Sequence, residues 1–487
     1  MSDETVFITL LDRRRMAAAP AERASLDAID PALLPALAVL AREIQQRPWL
    51  ATLAVRQMIE AVNARIDDAL CQQINLVLHH PEFQALEASW RGLHFLVRGV
   101  QTDASLKIRL FNISQRELGR TLRKYRGTAW DQSPIFKKIY EEEYGQLGGE
   151  PFGVLVGDYA FDHQPQNIQV LSDMAAIAAA AHVPFIAAAA PALMQMESWT
   201  ELANPRDLSR IFQTPEYAAW RALRTTEDAR YVGLCMPRML SRLPYGHRTD
   251  PIEDFAFEEE VEGPDHSRYA WANPAFAMGA NIARSFSLFG WCTRIHGIET
   301  GGIVEDLPML HFDTADGDAD VRTCTEIALN ERREAELARL GLMPLLHRKN
   351  SAAAAFISAN SLQLPQVYDD PAATANAMLA SRLPYLFACC RFAHYLKCLV
   401  RDKVGGSMSR AQLQTWLRKW LRGYVDGSTS TSDDEWKASH PLEDADVSLE
   451  ELPERPGQYE AKFLIKPHYQ LEGLSVALRL VSRVPAA

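Results

Sequence analysis

Four short apolar runs, at 152–156, 183–187, 231–235 and 325–329, constrain this chain more than any other feature. Each reads as a strand, and helical patterns lie between them. The middle of the chain is therefore mixed α and β. A fifth segment, "SLKIRLFNI" at 105–113, alternates like a half-buried strand. Leu106, Ile108 and Leu110 fall on one face, Lys107 and Arg109 on the other. Ser114 and Glu117 then form a capping box for the next helix.

The run at 152–156 follows a glycine-rich turn, "YGQLGGEPFGVLVGDYAF" at 144–161. A phosphate-gripping loop would need G-x-x-x-x-G-K-[ST] after a strand and before a helix. Here no lysine follows, and the glycines precede the strand. Gly145, Gly148 and Gly149 also miss the dinucleotide G-x-G-x-x-G spacing. The remaining reading is a turn that needs positive φ or close backbone approach, leading into a buried strand over Phe152–Val156.

The two ends of the chain differ from its middle. Residues 1–50 read as an arm, punctuated by Pro20, Pro31, Pro35 and Pro48. From 52 to 78, Ile59, Val62, Ile66, Leu70 and Val77 recur at helical spacing, and a second helix starts at Pro81. From 372, "ATANAMLASRLPYLFACCRFAHYLKCLVRDKVGG" reads as one long helix ending at Gly-Gly. A second amphipathic helix is capped by Ser409 and closes near Gly427. Three strand patterns finish the chain, at 445–452, 457–466 and 473–483. In the second, Tyr459, Ala461, Phe463 and Ile465 face one way, and Glu460, Lys462 and Lys466 the other.

Composition excludes several classes. The 487 residues suggest two to four domains of about 150 residues. A net charge of -11 without a polybasic tail argues against nucleic-acid binding. The seven cysteines are odd in number, widely spaced and without C-x-x-C, as expected of a reducing compartment. Adjacent Cys389 and Cys390 read as small packed hydrophobes. The N-terminus has acids first and arginines later, the reverse of a secretory signal, and no run reaches about eighteen apolar residues. A cytoplasmic protein without membrane insertion is expected.

Catalytic and metal motifs fail one by one. With Gly317 at the sixth position of a calcium loop, positions one, three and twelve are Phe312, Thr314 and Thr323, none a carboxylate. His394 and Cys398 share a helix face, but two ligands make no zinc site, and His394 reads as a packed core histidine. G-x-S-x-G and H-E-x-x-H are absent. "NERREAE" (Asn330–Glu336) reads as a solvated helix with internal ion pairs. No enzyme, cofactor or metal is expected.

Seven motifs, in order, carry a resemblance: "HPEFQALEASWRGLHFLV", "YGQLGGEPFGVLVGDYAF", "EDARYVGLCMPRMLSRLPYG", "SFSLFGWCTRIHGIETGGIVEDLPML", "TEIALNERREAEL", "RLPYLFACCRFAHYLKCLVRDKVG" and "PHYQLEGLSVALRLVSR". From about 55 to 485 the chain resembles the large subunit of the type VI secretion contractile sheath, the TssC/VipB family. The resemblance implies an α+β fold. A mixed α/β N-terminal sheath domain over 51–375 would follow the 1–50 arm. A C-terminal domain over 376–487 would consist of long helices and antiparallel strands that interlace with partner subunits.

It also implies partners: the small sheath subunit TssB/VipA, other copies of the chain, an Hcp inner tube, a baseplate and a ClpV-type AAA+ ATPase. In such sheaths, strands of the C-terminal region join those of the small subunit in one sheet. The residues implied here are Val447, Leu449, Tyr459, Ala461, Phe463, Ile465, Leu474, Val476, Leu478 and Leu480. The other reading is that these strands only close the chain's own core. Leu10, Leu11 and Met16 sit where an ATPase-recognition helix would be, against a reading as a disordered tail. Arg418, Lys419 and Arg422 would be a tube-facing set, against a reading as a solvated face. The alternative function is the sheath of another phage-tail-like contractile particle. A third is a soluble enzyme of unassigned chemistry.

Overall fold

The apolar runs of the middle region build a six-stranded mixed sheet. The computed structural model describes residues 34–47, 55–204, 207–253, 255–261, 266–313, 319–403, 408–427, 433–451 and 459–468. Its strands are β1 (Leu155–Phe161), β2 (Phe185–Ala189), β3 (Val232–Met236), β4 (Ile303–Val304), β5 (Leu342–His347) and β6 (Ala354–Phe356), in the order β1-β2-β3-β5-β6-β4. A separate hairpin pairs β7 (Leu442–Glu451) with β8 (Tyr459–Pro467). The longer helices in the first half are α1 (Leu34–Gln46), α2 (Val55–Leu78), α3 (Pro81–Arg98), α4 (Gln115–Lys124), α5 (Pro165–Ala181) and α6 (Ala275–Phe289). Those in the second half are α7 (Glu331–Arg339), α8 (Pro371–Ala380), α9 (Leu383–Lys403) and α10 (Arg410–Arg422).

β1, β2, β3 and β5 run parallel, while β6 is antiparallel to both β5 and β4. Every residue of β2 and β3 is buried. Parallel strands covered on both faces need such continuous apolar runs. β1, at the sheet's edge, is only half-buried over Leu155 and Val156. It begins three residues later than the sequence predicts. Its register with β2 is irregular: Val156 pairs with Ile186 and Ala160 with Ala188, so β1 carries extra residues there. The Asn273 amide donates to the carbonyls of Gly157 and Tyr159 at 3.4 and 3.2 Å, satisfying backbone that the irregularity displaces.

Three expectations are corrected. Residues 105–113 form no ladder with any described segment, and charge holds them where they lie. Lys107 pairs with Glu150, and Arg109 with both Glu143 and Glu150. The run at 325–329 is no strand either. Glu326 there is turned inward and takes a bidentate pair from Arg238 at 2.9 and 2.7 Å. The long helix from 372 is two, α8 and α9, parted at Ser381 and Arg382; Pro384 has no amide to donate to the Ala380 carbonyl, so a continuous helix would break here, while at the start of α9 that donor is not needed. In addition, α10 stops at Arg422, before the predicted Gly427. Both capping boxes, Ser114 with Glu117 and Ser409 with Gln412, are formed.

The glycine-rich turn works as a backbone device. Gly148 has a φ of +80°, where a side chain would be strained. A Cβ on Gly149 would lie 2.3 Å from the Glu143 carbonyl oxygen. That close approach sets Glu143 beside Glu150, whose amide donates to the Glu143 carboxylate at 3.1 Å. Glu143 and Glu150 are the acids that hold Lys107 and Arg109.

Two compact units divide the chain: Met1–Phe83 with Pro244–Glu262, and Gln84–Leu243 with Gly263–Ala487. In the first, buried Asn75 on α2 binds the 244–262 segment. Its amide donates to the Glu258 carbonyl at 3.1 Å, and its oxygen accepts from Glu260 N at 2.8 Å. Val62 is buried, whereas Ile59, Ile66, Leu70 and Val77 are exposed. The sheet and the hairpin belong to the second unit.

α9 is anchored to the sheet layer through His394, which is buried as predicted. Its Nε2 donates to the Ala181 carbonyl at 3.0 Å, and its ring meets Tyr144 edge-on. One turn on, the Lys397 ammonium lies 3.5 Å from the Tyr144 ring centroid and donates to the Tyr140 hydroxyl at 2.9 Å. Burial lowers the pKa of His394 to about 4, so the ring is neutral in the fold. A histidine in the unfolded chain titrates near 6.5. Below that pH the unfolded chain binds a proton that the folded chain refuses, so stability falls as pH drops from 6.5 toward 4. Thermal unfolding is expected to be flat above pH 7 and to fall through that window. His394 accounts for at most about 3 kcal/mol at pH 4, and the His394→Gln variant should be less acid-sensitive than the parent when melts at pH 7.5 and 5 are compared. Gly149→Ala should cost about 1–3 kcal/mol in chemical denaturation, as an overpacked site does. Gly153→Ala, where an added Cβ meets nothing within 4 Å, should leave stability unchanged within about 0.5 kcal/mol.

Candidate inter-subunit interface

The C-terminal strands sit on a second apolar core. Phe392 and Leu396 of α9, Leu417 and Leu421 of α10, and Val447 of β7 form it together with Trp291. Trp291 stacks on Phe392 with centroids 4.2 Å apart, and Tyr424 meets both rings edge-on. Such aromatic pairs each contribute about 0.5–1.5 kcal/mol beyond the area they bury. Periodicity finds the α10 face of this cluster. It does not find Trp291, which arrives from more than a hundred residues upstream, and no local pattern could have marked it.

β7 and β8 alternate as the sequence predicts. Ala445, Val447 and Leu449 are buried, while Asp444 and Asp446 are exposed. Val447 lies opposite Phe463 and Ala445 opposite Ile465, and both partners are half-buried on the same core. Tyr459 and Ala461 stand opposite Glu451 and Leu449. On the other face, Leu464 is 64% exposed. Among the described residues this sheet has two strands only, and apart from a bridge between Leu442 and Val425 at the start of β7 the outer edge of each strand has no ladder. An isolated hairpin is marginal in water, and this one is supported by α10 and the aromatic cluster. Leu474, Val476, Leu478 and Leu480 lie outside the described residues, as do Leu10, Leu11 and Met16.

The three cations of α10 do not act alike. Arg418 Nε donates to Asp446 at 2.6 Å and its Nη2 to the Val447 carbonyl at 3.3 Å, which also accepts from Gln414 at 3.0 Å. The Arg418 hydrogen bond holds the Asp446 carboxyl below its ordinary range. Arg418 therefore ties α10 to its own strand, while Lys419 and Arg422 are exposed.

The chemistry elsewhere is that of packing. All seven cysteines carry free thiols. Burial pushes Cys389 up to about 11 and Cys390 well above its ordinary value, so both pack as protonated, compact side chains. Cys324 Sγ lies 3.1 Å from His347 Nδ1, but burial pushes the thiol up to about 12 and lowers the imidazole, leaving a neutral contact. Among the described residues no cluster of three or more metal-binding side chains occurs. No helix among them is long and apolar enough to cross a membrane.

Comparison with known proteins gives the chain a family. The family described as EvpB/VC_A0108, tail sheath N-terminal domain, matches residues 60–363. That described as EvpB/VC_A0108, tail sheath gpW/gp25-like domain, matches 372–484. The type VI secretion system sheath protein TssC1 of Pseudomonas aeruginosa is 60% identical over 429 residues, which cover 88% of this chain and 86% of that protein. Among solved structures, the anti-feeding prophage baseplate aligns with a TM-score of 0.39 at 10% identity, over 78% of this chain and 84% of that one. The contracted helical sheath of the same prophage aligns with 0.29 at 11%, over 64% and 66%. With both of its halves matched by sheath models and a relative this similar along most of its length, the chain belongs to the VipB family of type VI secretion sheath large subunits.

Proposed function

We propose that this chain is the large structural subunit of a type VI contractile sheath, paired with a small sheath subunit and polymerised with further copies of itself. The 60% identity to a sheath protein along 88% of the chain carries this reading. The physical support lies in the β7–β8 hairpin. It offers ladder edges and a row of apolar side chains, which a neighbour's strand extends by main-chain hydrogen bonds. Unpaired edges are a hazard in a monomer and an asset in an assembly. We assign Val447, Leu449, Tyr459, Ala461, Phe463 and Ile465, with Leu474, Val476, Leu478 and Leu480, to the interlaced strands.

The sheath surrounds an Hcp tube in the cytoplasm, is built on a baseplate, and contracts to drive the tube out. Contraction needs an extended state whose interfaces are poorer than those formed afterwards. Lys419 and Arg422 face the tube, while Arg418 holds the hairpin. Leu10, Leu11 and Met16 are offered to a ClpV-type ATPase. Residues 1–50 serve as the arm, 51–375 as the N-terminal and 376–487 as the C-terminal sheath domain. The role is mechanical rather than catalytic.

Co-expression with the small subunit should give tubules visible by electron microscopy; a chain that stays monomeric beside that partner overturns the sheath reading. Phe463→Asp, and separately Leu478→Asp, should abolish tubules while leaving the purified chain folded by circular dichroism. Joint Lys419→Glu and Arg422→Glu should leave the subunit pair intact and lower the fraction of sheaths containing an Hcp tube by several-fold. Tube occupancy equal to the parent's would remove those two residues from the tube surface.

A further inference from the structure

One helix of this acidic chain is basic along its outer face. α4 carries Arg116, Arg120 and Arg123 at i, i+4 and i+7, a spacing that puts all three on one side. Its opposite side is buried through Leu118 and Leu122. All three arginines are exposed, and none makes an ion pair or a side-chain hydrogen bond with a described residue. The acid of the helix, Glu117, is taken by the Ser114 amide and hydroxyl at 3.1 and 2.9 Å. Like charges at i, i+4 disfavour a helix, so folding does not explain the stripe. In a chain of net charge -11 it is a local reversal of sign.

A patch of the opposite kind lies in the same unit, at the end of α6. A hollow of about 810 Å³ is lined there by Leu288, Phe289, Asp433, Glu435 and Trp436, and no Lys, Arg or His is among its described lining residues. Leu288 is 68% exposed and Trp436 50%. Asp446 and Glu443 of β7 are taken by Arg418 and Lys466. Asp433, Asp434 and Glu435, by contrast, are exposed and pair with no described cation. Lys437, the cation of the short helix Asp434–Ser439, is half-buried and lies outside the lining. Carboxylates beside open apolar side chains suit arginine above other cations. Its fork pairs with a carboxylate, its stem covers apolar surface, and its plane stacks on an indole.

We propose that the arginine stripe of α4 docks into the acidic hollow of a second copy of this chain, as an electrostatic contact between successive copies. The inference rests on the sheath reading above and names a pair of surfaces through which copies meet. Copies related by a helical screw touch through two different patches rather than one patch facing itself. A basic stripe would repel its own image. The hollow offers the opposite sign and an apolar rim, and it is present on every copy.

The test uses the full chain co-expressed with the small subunit, scored by tubules in electron micrographs. Joint Arg116→Glu, Arg120→Glu and Arg123→Glu should lower tubule yield at least tenfold, and joint Asp434→Arg and Glu435→Arg should do the same. Neither set should change the co-purified small subunit or the melting temperature, because all five side chains are exposed. The five changes in one chain reverse both signs and should return the yield to within about twofold of the parent's, as coupled sites do. A photo-crosslinking phenylalanine analogue in place of Arg120, in tubules mixed from light and heavy isotope-labelled chains, should join the stripe of one copy to the hollow of another. A crosslink within one chain, to the small subunit, or to nothing overturns the proposal. So does nucleic acid that co-purifies with the parent and is lost from the arginine variant, which would assign the stripe to a polyanion. If the parent pair forms no tubules, the sheath reading itself fails. If the parent forms them and either set of swaps leaves the yield unchanged, or the five together fail to restore it, only this contact fails.

Discussion

The ladder of the parallel sheet is the constraint on which the rest of this molecule depends. β2 and β3 are buried along their whole length, and a strand buried on both faces must have its backbone paired on both sides. That requirement passes outward from strand to strand. On one side it ends in the short antiparallel strands β6 and β4. On the other it reaches β1, where hydrogen bonding stops before the apolar surface does. Leu155 and Val156, half-buried, mark where the ladder ends among the described residues.

The same imbalance recurs at the C-terminal end. The β7–β8 hairpin buries one face on α10 and an aromatic cluster, yet among the described residues its two strands leave most of an edge on each side. A protein that functions alone usually blunts such edges with charge, bulges or cover. Here the cover is local: Arg418 and Gln414 reach the Val447 carbonyl from α10. For a sheath subunit that partial cover suits assembly, because a strand that is already ordered loses less conformational freedom when a neighbour joins it.

Between these two regions α9 makes contacts with both. Its His394 and Lys397 grip Ala181 and the Tyr140–Tyr144 pair. Its Phe392 stacks on Trp291 in the aromatic cluster. One helix thus packs on both the sheet layer and the strand-bearing layer. The glycine-rich turn belongs to the same construction. It positions the acids that hold the strap, and contributes Tyr144 to the grip on α9.

Much of this was legible in the amino-acid sequence, because it is local. Apolar runs of five residues predict β2 and β3, capping boxes fix the starts of α4 and α10, and alternation predicts β8 with Phe463 and Ile465 on one face. The order of the motifs also places the chain among the sheath subunits. Sequence could not tell that 105–113 would lack a ladder, that 325–329 would turn Glu326 inward to Arg238, or that Trp291 would complete a core built by residues 392–447. Each depends on which distant segment arrives first at a shared hydrogen-bonding edge or apolar face. Periodicity shows that a segment has a face to bury or a ladder to fill. Only the tertiary structure decides which segment supplies the partner, and among the described residues none is supplied at the outer edge of β1 or along the 105–113 strap.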